Sequence, residues 1–202
     1  MRAMTKIKFS LLVFVLTATV SISSAQKSNL TGGWQFHSLN NLGLLEGETG
    51  SAFQLQTING AQYRSWFAGA GIGLDFYRLR TIPLFLDIRK DFGRSSNKFF
   101  VYSDVGTNFS WVPDQQKTSN VENDKFGSGF YGDWGLGYKV LVAKKNNLLL
   151  SIGYSYKKTV ETYDPLYYPT GIFYGQEAPT YDQSQKINYS LNRLSIKIGW
   201  EF

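Results

Sequence analysis

The final ten residues, RLSIKIGWEF (193–202), alternate strictly between apolar and polar side chains. One face carries Leu194, Ile196, Ile198, Trp200 and Phe202. A period of two predicts a β-strand with one apolar face. The other face carries three charged residues, and the chain ends on an aromatic side chain. Neither a frayed tail nor an ordinary edge strand requires that combination.

The same alternation recurs along the chain and predicts eight strands. They lie near residues 33–43, 51–58, 65–77, 82–91, 98–111, 127–142, 146–157 and 189–202. Several have about ten residues or more, whereas ordinary strands have about 5–6 and strands that cross a bilayer at a tilt need about 9–11. The chain has 20 Gly, 13 Tyr and 15 Phe but only 5 Pro, which favours an all-β fold.

The N-terminus predicts a secretory signal peptide. MRAMTKIK supplies three basic residues, the uncharged run FSLLVFVLTATVSI follows, and small Ser23 and Ala25 precede a cleavage site after Ala25. The apolar run is shorter than the roughly 20 residues of a membrane-spanning helix. We therefore expect a cleaved signal peptide over residues 1–25 and one β-barrel domain over 26–202; an N-terminal anchor that is never cut is the alternative.

The charge and the cysteine content of the chain argue against several kinds of partner and covalent modification. The chain has 21 basic and 15 acidic residues, and the signal peptide holds three of the basic ones, so the remainder has a mild excess of three positive charges. There is no stripe of Lys and Arg with interleaved aromatics, so we expect no nucleic-acid partner. The absence of Cys argues against disulfides and against a lipid-anchored N-terminus.

The connections between the predicted strands alternate in length. If both chain ends lie on one side, that side holds the turn-like segments NGAQYRS (59–65), GRSSN (93–97) and KKNN (144–147). The other side holds two long connections, near 113–125 and 158–188. Short turns on the periplasmic side and longer loops outside are typical of transmembrane β-barrels.

Two architectures fit alternating faces. A soluble barrel of the lipocalin kind would turn its apolar face inward, and a membrane barrel would turn it toward lipid. The polar face is rich in Gly. Glycine leaves room in a narrow concave interior, whereas on a solvated surface it would only weaken the strands. The apolar face carries large aromatics near its ends, as interfacial girdles do. We therefore predict a closed antiparallel eight-stranded up-and-down transmembrane β-barrel.

The chain resembles the small eight-stranded outer-membrane β-barrels of Gram-negative bacteria. The resemblance rests on the signal peptide, on strands such as IGLDFY, LGYKV and LLLSIGYSY, and on the ending NRLSIKIGWEF. It implies residence in the cell outer membrane, contact with its lipid and lipopolysaccharide, and folding by the barrel-assembly machinery. In such a barrel the assembly signal would be Ile198, Trp200 and Phe202. The family has no shared catalytic motif to transfer.

The polar face of the predicted barrel carries ten charged residues. They are Asp75, Asp87, Arg89, Asp104, Asp133, Lys139, Lys157, Arg193, Lys197 and Glu201. Buried charges are tolerated only when paired, so we expect an ion-pair network, with four aspartates on strands 3 to 6 opposite three cations on strands 7 and 8. An eight-stranded barrel is just wide enough for its side chains. The interior is therefore expected to be plugged; the alternative is a narrow channel for small solutes.

The sequence gives little support for a catalytic site or a metal site. His37 is the sole His, and its neighbour Ser38 points to the opposite face of the strand. Ser103 or Ser155 could pair with it, but no spacing favours either. We expect no enzyme, no cofactor and no metal, with a structural role for His37 inside or at the rim.

The segment VETYDPLYYPTGIFYGQEAPTYDQ (160–183) lies in the last long loop and is rich in Tyr and Pro. Its candidate contact residues are Tyr163, Tyr167, Tyr168, Phe173 and Tyr174. Such loops offer large contact area at low entropic cost, which is compatible with an extracellular protein or glycan ligand. A long strand extension without a ligand and a lid over the barrel mouth are the alternatives. The overall expectation is a structural or surface-binding role, followed by a narrow channel, an enzyme at the outer rim and a soluble ligand-binding barrel.

Overall fold

The computed structural model describes residues 33–93, 95–113, 121–143, 146–165 and 184–202. In them lie nine strands: β1 (Trp34–Gly47), β2 (Gly50–Tyr63), β3 (Trp66–Asp75), β4 (Thr81–Phe92), β5 (Lys98–Ser110), β6 (Val121–Gly127), β7 (Gly129–Ala143), β8 (Asn146–Pro165) and β9 (Gln185–Glu201). The described residues contain no helix that is long and apolar enough to cross a membrane. The predicted signal peptide lies outside the described residues.

Eight of the strands close into a ring. Each of β1–β5 and β7–β9 pairs antiparallel with its neighbours, and β9 closes the ring on β1. Following paired residues around the ring from Trp34 leads back to β1 at Leu44, ten residues further along. This stagger fixes the tilt and width of the barrel, and at eight strands the interior is just filled by side chains.

The two ends of the barrel differ. The terminal end carries Trp34, the last residues of β9 and the turns after β2, β4 and β7, as the sequence predicts. The loop end carries the other connections. There β8 and β9 continue past the ring and β6 pairs with β8 from Val121↔Pro165 to Gly127↔Val160. These three strands form the projecting sheet.

The barrel is apolar outside and polar inside. On β4, for example, Leu84, Leu86 and Ile88 are 52, 66 and 54 % exposed. Their inward neighbours Asp87 and Arg89 are 0 and 6 % exposed. A barrel in water would have the opposite distribution, so the lipocalin-like alternative is wrong and the transmembrane architecture is confirmed.

Interior glycines make room for rings from neighbouring strands. A Cβ at Gly71 would lie 2.5 Å from the ring of Phe85, and one at Gly137 would lie 2.3 Å from the ring of Phe100. A Cβ at Gly153 would lie 2.2 Å from the hydroxyl of Tyr102. The Gly-rich inner face therefore reflects crowding, because the rings occupy the volume that side chains at these positions would need.

Three predicted boundaries are wrong. The predicted turn 59–65 is mostly strand: β2 runs to Tyr63, and only Arg64, with φ of 56°, and Ser65 form the turn. Asn59-Gly60 reads as a turn signal, but Gly60 lies opposite Gly69 on β3, where a Cβ would meet backbone atoms. The predicted loop 158–188 is strand from 158 to 165 and from 185 to 188, and the predicted loop 113–125 is strand from 121. Cross-strand pairing in the projecting sheet overrides the local turn composition there.

Candidate functional site

The structure places all ten predicted charged residues inside the barrel. Each has at most 8 % of its surface exposed, and five of them are fully buried. They group into three clusters, one at the loop end, one in the centre and one at the terminal end. The clusters are defined below by their ion pairs.

The loop-end cluster consists of Asp75, Lys157 and Arg193. The Asp75 carboxylate accepts from the Arg193 guanidinium and lies 3.2 Å from Nζ of Lys157. Lys157 also donates to the Tyr77 carbonyl oxygen at 3.1 Å, and Arg193 donates to Oγ of Ser155 at 2.7 Å. One carboxylate therefore serves two buried cations, and the cluster carries a net charge of +1.

The central cluster has Lys197 at its core. Nζ of Lys197 lies 2.9 Å from Oδ2 of Asp133 and 3.6 Å from Oδ2 of Asp104. Asp133 also accepts from the Tyr102 hydroxyl at 2.8 Å and from the Ser195 hydroxyl at 3.2 Å. Asp133 therefore has two hydrogen bonds on Oδ1, whereas neither carboxylate oxygen of Asp104 has one.

Three aspartates of the central cluster are direct lateral neighbours. Asp87 pairs with Asp104 across β4 and β5, and Asp104 pairs with Asp133 across β5 and β7. Like charges directly opposite are destabilising. Arg89 offsets part of this repulsion, since its Nε and Nη2 both donate to Asp87 at 2.8–3.0 Å. The arrangement depends on Arg89 and Lys197 because they are its two cations.

The terminal-end cluster consists of His37, Asp91, Lys139 and Glu201. Nζ of Lys139 lies 3.2 Å from Asp91 and 2.8 Å from Glu201. Nδ1 of His37 lies 3.2 Å from Glu201, which places the sole His inside the rim. Asn147 donates to the same carboxylate at 3.3 Å.

Sequence reasoning missed Asp91. It lies on the inner face of β4 with Asp87 and Arg89, so the alternation that identified those two residues also identifies it. Its inclusion changes the charge count: within the three clusters, six carboxylates face five cations instead of five facing five. The surplus negative charge lies in the central and terminal-end clusters.

Sequence reasoning also missed the polar and aromatic groups between the clusters. Oη of Tyr131, on β7, accepts from Gln54 at 3.1 Å and from Gln56 at 2.9 Å, both on β2. β2 and β7 are four strands apart in either direction around the ring. Lys157 and Asp75, on β8 and β3, are also four strands apart. These contacts therefore span the full diameter of the barrel, and sequence patterns carry no signal for contacts of this kind.

The other predicted residues lie elsewhere. Ile198, Trp200 and Phe202 are 46, 39 and 38 % exposed on the outer face of β9. Tyr163 lies in the projecting sheet, where its hydroxyl donates to Gln185 at 2.9 Å. The other four candidate contact residues, Tyr167, Tyr168, Phe173 and Tyr174, lie outside the described residues.

The described residues contain no Ser–His pair of the kind that was considered. Ser155 is bonded to Arg193 in the loop-end cluster, whereas His37 lies in the terminal-end cluster. Ser103 lies on the outer face of β5. Within the same residues, no group of three or more His, Asp or Glu is arranged to hold a metal ion.

Comparison with known proteins identifies the fold. No protein-family profile and no curated protein sequence matches the chain. The crystal structure of Neisserial surface protein A matches with 12 % identity and a TM-score of 0.53 over 84 % of this chain and 96 % of that one. Outer membrane protein OprG from Pseudomonas aeruginosa matches with 10 % identity and a TM-score of 0.51 over 83 % of this chain and 95 % of that one. The chain has the fold of the small eight-stranded outer-membrane β-barrels.

Proposed function

We propose that this chain is a closed, non-conducting outer-membrane β-barrel that anchors the projecting sheet at the cell surface. The observation that carries the proposal is the set of interior contacts that cross the full diameter. Lys157 contacts Asp75 at 3.2 Å, and Tyr131 contacts Gln56 at 2.9 Å, in each case from opposite walls. An ion that moved along the axis would have to displace both contacts.

The charges themselves favour a plug over a pore. A buried charge that loses its partner costs several kcal/mol, so a solute that separates Asp75 from its two cations meets a large barrier. Each cation in the three clusters has a carboxylate within 3.2 Å. A water-filled pore would solvate these groups individually and would not require such pairing.

Single-channel recording in planar bilayers tests the proposal. The wild-type barrel should show no steady conductance. The double variant Tyr131→Ala, Lys157→Ala removes both diametrical contacts and should show measurable openings. Leu86→Ala, on the outer face, is the matched control and should remain silent. Steady conductance of the wild-type barrel would contradict the plugged interior and favour the alternative, a narrow channel for small solutes.

Placement in the outer membrane is supported by the apolar outer surface and by charged groups at the loop end. Arg80 lies 4.0 Å from the centre of the Trp111 ring, and Lys158 lies beside Tyr156. Cations next to interfacial aromatics suit the phosphates of lipopolysaccharide. The outward aromatic end of β9 suits the proposed recognition by the barrel-assembly machinery. Fractionation of membranes from cells that express the chain checks the location, and recovery in the inner membrane would contradict it.

The projecting sheet favours a second function, contact with an extracellular protein or glycan. An aromatic and a charged group lie in fixed positions beside it: the Arg78 guanidinium, in the connection between β3 and β4, lies 4.4 Å from the Tyr189 ring, and the Tyr189 hydroxyl donates to the buried Glu161 at 2.5 Å. Tyr and Arg are enriched among the residues that carry binding energy. A glycan array read with wild-type protein and with a variant in which residues 166–183 are replaced by a short turn tests this function. Identical profiles would contradict it.

A further inference from the structure

The outer surface of the barrel contains a block of four polar side chains on β1 and β2. Ser38 pairs with Asn59 and Asn40 pairs with Thr57, so the four outward side chains form two adjacent rows. We call Ser38, Asn40, Thr57 and Asn59 the polar patch. Asn40 and Asn59 are exposed, Thr57 is half-buried, and Ser38 is 8 % exposed.

The polar patch lies within the apolar belt, not at its edge. On β1, apolar Phe36 precedes it and Leu42 follows it on the same outer face, and both are exposed. On β2, Leu55 lies on its loop-end side. Apolar residues therefore lie on both sides of the patch along the strands.

The hydrogen-bonding capacity of the patch is largely unused. Thr57 Oγ1 donates to Asn40 Oδ1 at 2.9 Å. Within the described residues, the Asn59 side chain has no hydrogen bond, and the amide nitrogen of Asn40 donates none. Hydrocarbon offers no partner to either group. The outer face of β5 also carries two polar residues, Ser103 and Thr107, but burying two hydroxyls without a partner costs less than burying two carboxamides.

The neighbours of the patch are small. On the outer face of β3, Ala70 lies directly opposite Asn59, and Ala68 lies opposite Ala61 of β2. Elsewhere the belt carries Leu, Ile, Phe and Trp. Small residues beside polar ones allow two membrane-spanning surfaces to approach closely and hydrogen-bond. The polar patch and these alanines together form an uncharged surface that can donate and accept hydrogen bonds.

We propose that the polar patch is the contact surface between two copies of this chain in the membrane. Two barrels inserted with the same orientation are related by a two-fold axis along the membrane normal, and such an axis brings the same surface of both copies together at the same depth. A carboxamide has both donors and an acceptor, so Asn40 and Asn59 can pair with the same residues of the second copy. The patch is uncharged and therefore meets itself without repulsion. The proposal rests on the barrel spanning a bilayer.

Cysteine cross-linking tests the contact because the chain has no Cys. Ala70→Cys places a thiol beside the patch and leaves both Asn residues intact, while Leu136→Cys places one on the outer face of β7, four strands away from β2. After oxidation in native membranes, Ala70→Cys should give a product of twice the barrel mass, at least tenfold more than Leu136→Cys. Adding Asn40→Leu and Asn59→Leu to Ala70→Cys should remove most of that product.

Barrel formation is measured separately on the same samples by the shift in gel mobility on heating. A folded Ala70→Cys barrel that cross-links no more than Leu136→Cys overturns the dimer, as does a product whose mass shows a different partner protein. Ala61→Cys replaces Ala70→Cys if the latter does not fold. Loss of the heat-dependent shift in the unmodified protein would instead reject the membrane barrel itself, so the two failures are distinguishable.

Discussion

Asp75 is the residue whose neutralisation should most disturb the barrel. It is fully buried and is the shared partner of Arg193 and Lys157. Asp75→Asn keeps the shape of the side chain and keeps Oδ1 as acceptor for the backbone N–H of Tyr77, at 2.8 Å in the wild type. The substitution therefore removes the charge and little else.

The expected cost follows from charge counting in the loop-end cluster. Wild type has a net charge of +1, Asp75→Asn leaves two buried cations, and Arg193→Met leaves a neutral Lys157–Asp75 pair. A Lys157–Asp75 separation of 3.2 Å corresponds to a gross attraction of about 5 kcal/mol at an effective dielectric constant of about 20. Removing one partner of a buried pair costs about 3–5 kcal/mol net. Arg193→Met should cost less, about 1–3 kcal/mol, mainly because the Ser155 hydroxyl loses its partner.

The assay is denaturant unfolding of the refolded barrel in bilayer vesicles, followed by tryptophan fluorescence. The double variant Asp75→Asn, Arg193→Met has one cation left in the cluster, so it should be more stable than the sum of the single losses predicts, with a coupling of about 0.5–3 kcal/mol. If Arg193→Met costs as much as Asp75→Asn, the charge-counting argument fails. It also fails if Asp75→Asn lies within about 1 kcal/mol of wild type.

Three further substitutions test other parts of the molecule. Ile196→Arg, on the outer face of β9, should cost about 2–4 kcal/mol because it places a charge in lipid, while Ile196→Leu should be mild; equal unfolding free energies would mean that this face does not meet lipid. Deletion of Phe202 should lower the amount of heat-modifiable barrel in outer-membrane fractions, whereas Phe202→Tyr should not; normal levels from the deletion would reject the assembly-signal prediction. Gly153→Ala should cost about 1–3 kcal/mol by overpacking, since its Cβ would lie 2.2 Å from the Tyr102 hydroxyl. Adding Tyr102→Phe should recover part of that loss, and no recovery would locate the clash elsewhere.

The period-two pattern was sufficient to predict which side chains face inward. Asp75, Asp104 and Asp133 alternate with apolar residues on their strands, and alternation in a strand is a geometric necessity. The same reasoning predicted the eight strands of the ring and their order, though not β6, because hairpin connections leave few other ways to close a barrel. Both predictions depend only on local geometry, and local geometry is what a sequence records most directly.

The pairing of the interior charges could not be predicted from the sequence. Asp87 pairs with Arg89 on its own strand, whereas Asp75 reaches across the interior to Lys157. Which residues lie at the same height along the barrel axis depends on the stagger of ten residues around the ring. The sequence does not show the value of that stagger. The sequence offered the extension of β8 and β9 only as an alternative, because these strands carry turn-forming residues and are stabilised by cross-strand pairing.

Apolar side chains lie beside the interior charges on some strands and not on others. On β1, Leu39 follows His37 of the terminal-end cluster on the inner face and is 1 % exposed. On β4, by contrast, Asp87 and Arg89 of the central cluster and Asp91 of the terminal-end cluster are consecutive inward residues. A buried apolar side chain beside a charged cluster lowers the local dielectric constant, which strengthens the nearby ion pairs and raises the cost of moving an unpaired ion past them. Replacing Leu39 with a polar residue should therefore ease ion passage, measured as conductance in planar bilayers, even though every ion pair remains intact.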